Sequence, residues 1–279
     1  MTSKSFKKSE AQPQPPQKYN PVMHNALVNL RGLTLQAIAL CGIALAASAV
    51  TAAEVRVAVA ANFTAPMKLI ADAFEKSTGH QLVLSYGATG KFYAQIINGA
   101  PFDVLLAADN ETPEKLEKQG AAVPGTRCTY ATGRLVLWSA QRGLVDEMGE
   151  VLTRNSFTRL AIAAPKLAPY GAAAMQVMAK SGVLLAVQTR LVTGDSIGQA
   201  FNMVATGNAE LGFVAMSQVF VDGRLKSGSA WVVPSDLHSP IKQDAVLLVR
   251  GKANPAALQL LAFLKSAQSK AIMATFGYE

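Results

Sequence analysis

Short apolar runs alternate with amphipathic stretches from residue 55 almost to the end of this chain. Val55–Ala60, Gln81–Ser85, Val104–Ala107, Leu160–Ala164, Leu191–Thr193, Leu211–Ala215 and Ala245–Val249 are brief apolar segments that predict buried strands. Arg134–Ser139 and Trp231–Pro234 predict two more. Between them, Met67–Ser77, the stripe Phe92, Tyr93, Ile96 and Ile97, Pro113–Gln119, Ala172–Lys180 and Ile197–Thr206 have helical spacing. Gly79, Asn98-Gly99 and Gly120 stop the first three of these. Pro255–Ser266 and Ser269–Phe276 predict closing helices. Strands interleaved with helices of this length predict an α/β fold, with parallel sheets covered by helices on both faces.

Four segments share one layout: a strand, a small polar loop, then a helix start. They run into Ala61-Asn62-Phe63-Thr64, Gly87-Ala88-Thr89-Gly90, Pro169-Tyr170-Gly171 and Gly194-Asp195-Ser196-Ile197-Gly198. A helix N-terminus leaves backbone N–H groups unpaired and carries a partial positive charge, so it attracts anions. Four such ends converging would hold a small oxyanion with no cationic side chain and no metal. Loops at the carboxyl ends of strands are also where open α/β sheets bind ligands. Asn62, Thr89 and Asp195 have an alternative reading as ordinary helix caps.

The first 53 residues do not share this pattern. Lys4, Lys7, Lys8, Lys18 and Arg31 stand against Glu10, and an apolar run from Leu33 to Ala47 follows. Small residues at 47–52 complete the order of a secretory signal peptide, cleaved near Ala49–Ala53. The run falls short of the ~20 residues a membrane span needs, which weighs against an uncleaved anchor. Met23 would begin a leader of more ordinary length. Removing the leader lowers the net charge from +8 to +4. The basic balance of the whole chain is therefore no argument for nucleic acid, and no Lys/Arg run with interleaved aromatics follows residue 53. Of the 2 cysteines, Cys41 lies in the leader, so Cys128 has no partner for an internal disulfide and reads as a buried thiol.

Enzyme signatures are sparse. No Walker loop, Cys-x-x-Cys or His-Glu-x-x-His occurs. His80 and His238 sit in polar surroundings and read as surface residues. Asp103 and Asp109 flank Val104–Ala108 and read as strand-end and cap residues before an acid–base pair. The expectation is a binding protein without a cofactor.

Longer stretches narrow this. Val57-Ala58-Val59-Ala60-Ala61-Asn62-Phe63, Gly87-Ala88-Thr89-Gly90 with Tyr93-Ala94-Gln95-Ile96, and Asn98-Gly99-Ala100-Pro101-Phe102-Asp103-Val104 come in that order. Leu135-Val136-Leu137-Trp138-Ser139, Ala168-Pro169-Tyr170-Gly171, Ser196-Ile197-Gly198-Gln199-Ala200 and Leu211-Gly212-Phe213-Val214-Ala215 follow. In order and spacing the chain resembles the periplasmic molybdate-binding proteins of ABC-type importers, over all of its length past the leader. The resemblance implies a two-lobed, type II periplasmic-binding-protein fold, each lobe a mixed, mainly parallel sheet flanked by helices. It implies lobe one from 54–133 plus 246–279 and lobe two from 134–245, with crossovers near Gly133–Leu135 and Asp244–Val246 and a ligand cleft between lobes. It places ligand contacts at Ala61 (backbone N–H), Asn62 (side-chain amide), Thr89 and Tyr170 (hydroxyls) and Ile197 (backbone N–H). It implies molybdate or tungstate as ligand, the membrane permease subunits of an ABC importer as partners, a periplasmic location and a monomer. Lys91 departs from the family pattern; it either faces solvent or lends charge to the anion.

Donor-only chemistry suits molybdate, a tetrahedral dianion that carries no proton at neutral pH. Phosphate keeps a P–OH that needs an acceptor, and leaving it unpaired costs roughly 1–3 kcal/mol. Asn62 tempers this, because its carbonyl is an acceptor. Sulfate is also proton-free and separable only by size. The alternatives are a sulfate or thiosulfate receptor of the same fold and, from another class, a porphobilinogen-deaminase-like transferase. The latter would need a cysteine-attached cofactor and an arginine-rich cleft, and none of the four loops carries an arginine.

Overall fold

The computed structural model describes residues 12–16, 52–154 and 156–279. Residues 12–16 have no regular structure. Apart from residues 12–16 and 52–53, the expected leader, with Cys41, lies outside the described residues.

Residues 52–279 build two five-stranded mixed sheets. The first contains β1 (Glu54–Ala60), β2 (Gln81–Gly87), β3 (Val104–Leu106) and β4 (Cys128–Gly133), joined by β12 (Ile241–Leu247), in the order β2-β1-β3-β12-β4. β1 runs parallel to β2 and β3, while β12 is antiparallel to β3 and β4. The second sheet contains β5 (Leu135–Ser139), β6 (Leu160–Ala163), β7 (Leu191–Gly194), β8 (Leu211–Ala215) and β11 (Ser229–Val232), in the order β11-β5-β8-β6-β7. β6 lies parallel to β7 and β8, and β5 antiparallel to β8 and β11. The two-residue strands β9 (Phe220–Val221) and β10 (Arg224–Leu225) form a hairpin.

Strand alternation sorts the side chains into cores. Val55, Val57 and Val59 of β1 enter a cluster with Phe63, Phe74 and Leu260, whereas Ala58 enters another with Phe92, Leu105 and Leu116. The first sheet is thus covered on both faces, as parallel strands require. A third cluster fills lobe two around Leu137, Ile162, Val177 and Phe213. It also takes in Ala60, Ala61 and Ala108 from the strand ends of lobe one, where the two lobes meet.

The first crossover comes at Arg134, between β4 and β5. The second differs. β12 pairs within the first sheet from Ile241, so the chain returns between Val232 and Ile241 and not near Asp244–Val246. β4 was absent from the apolar pattern for a related reason. Thr129, Thr132, Gln243 and Asp244 put polar side chains inside paired strands. Asp244 is buried with Arg127 and Thr129 as partners, and Gln243 is fully buried. The register slips between Gln243 and Asp244, leaving Tyr130 of β4 without an opposite residue. Such a bulge re-aims side chains beside a site.

Candidate anion site

Each of the four predicted loops is a strand end running into a helical start. β1 ends at Ala60 and a 3-10 turn, Ala61–Phe63, leads into the helix Thr64–Thr78. β2 leads to the helix Thr89–Ile97, β6 to Pro169–Lys180, and β7 to Ile197–Ala205. Proline at the first helical position costs the helix Pro169–Lys180 nothing, since that N–H would be orphaned anyway. Ser196 caps the helix Ile197–Ala205, its hydroxyl accepting from Gln199 N–H at 3.3 Å. Gly171 allows the helix to sit on β6: a Cβ there would lie 2.1 Å from the Ala163 carbonyl oxygen.

All five predicted residues, Ala61, Asn62, Thr89, Tyr170 and Ile197, line one pocket of about 10 Å³, with Ala60, Gly87, Ala88, Ala108, Ala168 and Pro169. Three of the four helical starts give it an N-terminal residue of a helix of nine or more residues: Thr89, Tyr170 and Ile197. Their backbone N–H groups have no acceptor within their own helix. Among the described residues, no charged side chain lines it. That is far below the volume of drug-sized sites and leaves room for only a single small guest. A larger groove of about 320 Å³ adjoins it, but its lining includes Asp109, Glu111, Lys166 and Lys242, a mixture with no focus of donors.

The side chains behave differently from one another. Thr89 is buried and its Oγ1 accepts from Ala108 N–H at 2.9 Å, which leaves the hydroxyl proton free to donate. Asn62 is buried, and its Nδ2 donates to Gln243 Oε1 at 2.8 Å and Tyr278 Oη at 2.9 Å. Asn62 Oδ1 has no partner among the described residues. The expected side-chain donor is therefore turned to the protein, and the amide's acceptor is left over. Tyr170 Oη accepts from Gln243 Nε2 at 3.2 Å and lies against Gly133, where a Cβ would come within 2.0 Å of it. The hydroxyl expected to face the ligand is thus held at the first crossover. Lys91 does neither thing exclusively: its Nζ pairs with Asp195 Oδ2 at 2.6 Å, both side chains about half exposed.

Behind the pocket lies a polar cluster that the sequence did not reveal. Gln243, Tyr278, Ser217 and Tyr130 surround Asn62. Ser217 Oγ donates to the Asn62 carbonyl oxygen at 2.7 Å, and Tyr278 Oη reaches the same oxygen at 2.9 Å. Tyr130 Oη is within 3.0 Å of Gln243 Oε1 and the Ala107 carbonyl oxygen. Burial pushes the Tyr278 hydroxyl up to about 12 and those of Tyr130 and Tyr170 well above the usual tyrosine value, so all three are neutral hydrogen-bonding groups at physiological pH.

The other polar residues singled out have structural work. Asp103 accepts from Arg56 N–H at 2.9 Å, and Asp109 Oδ1 from Thr112 N–H at 2.8 Å. Burial raises the Asp109 carboxyl. His80 and His238, expected at the surface, are both buried. His80 Nδ1 accepts from Ala53 N–H at 3.2 Å, and its ring packs near Phe74. Cys128 is half-buried, and burial raises its thiol.

A family model described as bacterial extracellular solute-binding protein matches residues 55–279. The chain belongs to that family. Among relatives, the molybdate-binding protein ModA of Azotobacter vinelandii is 61% identical over 225 residues, covering 81% of this chain and 89% of the relative. The ModA protein of Rhodobacter capsulatus is 52% identical, covering 81% and 88%. A solved structure, the Azotobacter vinelandii periplasmic molybdate-binding protein, superposes with a TM-score of 0.78 at 42% identity, covering 81% of this chain and 98% of that one. The two-lobed α/β architecture is that of these solute-binding proteins.

Proposed function

We propose that this chain captures molybdate, and tungstate with it, and delivers the oxyanion to the permease of an ABC importer from outside the cytoplasmic membrane. The observation that carries this is the pocket lining: helix N-termini and neutral polar groups from both lobes, and no charged side chain among the described residues. A proton-free dianion is held there by the field of the helix ends and by N–H and O–H donors. The Thr89 hydroxyl supplies one donor, and the backbone N–H groups of Ala61, Thr89, Tyr170 and Ile197 are the other candidates. Relatives named as molybdate-binding proteins support the choice of anion. Export follows from the leader, with cleavage near Ala49–Ala53.

Titration calorimetry with molybdate, tungstate, sulfate and phosphate in parallel tests the proposal. Saturable binding of the first two, and roughly 5–150-fold weaker binding of phosphate, is expected. Sulfate binding as tight as molybdate would reassign the chain to a sulfate-type receptor of the same fold.

A further inference from the structure

Resting on the oxyanion reading of the pocket, we propose that Gln243 is a positioning residue: it sets which end of the Asn62 carboxamide meets the ligand. Gln243 is fully buried at the β12 bulge and touches both lobes. Its Oε1 accepts from Asn62 Nδ2 at 2.8 Å and from Tyr130 Oη at 3.0 Å, and its Nε2 donates to Tyr170 Oη at 3.2 Å. In this arrangement Asn62 directs its N–H groups to Gln243 and Tyr278, and Oδ1 is buried without a partner among the described residues. Molybdate has no proton to give that oxygen, so two acceptors would face each other.

A half-turn of each carboxamide exchanges its N and O without moving other atoms. After both turn, Gln243 Nε2 donates to Asn62 Oδ1 and to Tyr130 Oη, and Tyr130 donates to the Ala107 carbonyl oxygen, already within 3.0 Å. Tyr170 Oη then donates to Gln243 Oε1. Tyr278 Oη donates to Asn62 Oδ1, while the Asn62 main-chain oxygen keeps Ser217 Oγ at 2.7 Å. Every buried acceptor of the cluster is satisfied, and Asn62 Nδ2 is free for the oxyanion. Neither amide can turn alone: Asn62 turning by itself sets Oδ1 against Gln243 Oε1, and Gln243 turning by itself sets Nε2 against Asn62 Nδ2. The oxyanion therefore selects the doubly turned state, and Gln243 holds it there.

The test uses the full chain. Gln243→Met keeps the shape and removes both polar ends, so about 10-fold or greater weakening of molybdate binding is expected by calorimetry. In an Asn62→Ala background the same change should alter affinity by less than about threefold, because the group it positions is gone. Gln243→Glu can only accept, so it locks Asn62 in the wrong orientation and should bind more weakly than Gln243→Met. Melting curves report whether each variant is folded. Should Gln243→Met fail to fold, side-chain amide NMR of the unmodified chain still decides. Molybdate should shift the Asn62 and Gln243 amide resonances together, Asn62 being assigned by its loss in Asn62→Ala. Unchanged affinity in Gln243→Met, equal losses in both backgrounds, or unmoved amide resonances would overturn the role of Gln243. Absence of molybdate binding to the unmodified chain would instead overturn the oxyanion reading itself.

Discussion

Lys91 Nζ lies 2.6 Å from Asp195 Oδ2, and this ion pair joins one lobe to the other. It has company. Gly90 N–H donates to the Leu167 carbonyl oxygen at 2.9 Å, and a Cβ on Gly198 would stand 3.4 Å from Ala61 Cβ. Lobe one and lobe two are thus in direct contact at the rim of the pocket. The pairing also answers what an extra lysine does beside an anion loop: its charge is matched by a carboxylate from the opposite loop.

Exposed pairs contribute roughly 0–1 kcal/mol. Lys91→Ala is therefore expected to change molybdate affinity by no more than about threefold, chiefly through faster release as the lobes part more readily. Calorimetry and stopped-flow displacement measure both. A loss beyond tenfold, about 1.4 kcal/mol, would make Lys91 a direct cation for the ligand.

Thr89 Oγ1 is fixed by Ala108 N–H, which leaves its hydroxyl proton free to donate. Thr89→Val removes that donor with little change in volume. A hydrogen bond to a charged acceptor is worth about 1.5–3 kcal/mol, so roughly 10–150-fold weaker molybdate binding is expected. Thr89→Ser should retain most of the affinity. Equal affinity of the valine and serine variants would show that Thr89 is a cap and no more.

Gly133 is where backbone and site meet. A Cβ there would lie 2.0 Å from Tyr170 Oη and 2.5 Å from Gln243 Nε2, both buried and mutually bonded. Gly133→Ala must push them apart, at about 1–3 kcal/mol. A fall in Tm of several degrees is expected, together with weaker molybdate binding, because the displaced groups belong to the cluster behind Asn62. A variant with unaltered melting and affinity would contradict the tight packing described.

The buried tyrosines set an alkaline limit. Tyr278 is pushed up to about 12 in the folded chain, against ~10 when unfolded. The unfolded form therefore loses its proton first, and the stability present below pH ~10 falls as pH rises toward 12, by about 1.4 kcal/mol per pH unit for such a group. Melting curves between pH 9 and 11.5, compared with Tyr278→Phe, should show a shallower decline for the variant. Parallel declines would mean that Tyr278 does not contribute to the alkaline limit.

What was legible in the sequence was local. Asn62, Thr89, Tyr170 and Ile197 stand in strand-loop-helix segments whose composition announces a helix start, and the pocket gathers all four with Ala61. The rest depends on distance along the chain. Gln243 and Tyr278 reach Asn62 from 181 and 216 residues away, and no local pattern links them. Gln243 and Asp244 also hid the start of β12, because a strand whose polar residues are satisfied by buried partners does not look apolar. His80 misled in the same way: its polar neighbours in sequence gave no sign that Phe74 would cover it. Hydroxyl orientation was likewise invisible. That Tyr170 turns to Gln243 and Gly133 follows from where β4 and β12 pass, not from the loop that carries it.

The most direct measurement is a thermal melt of ligand-free protein with and without molybdate. Binding confined to the folded state at 100 times the dissociation constant adds about 2.7 kcal/mol, which for a chain of this size raises Tm by roughly 5–10 °C. Tungstate should match molybdate, and phosphate at the same concentration should raise Tm by clearly less. A melt that millimolar molybdate and tungstate do not move would contradict the assignment of this pocket as a molybdate site.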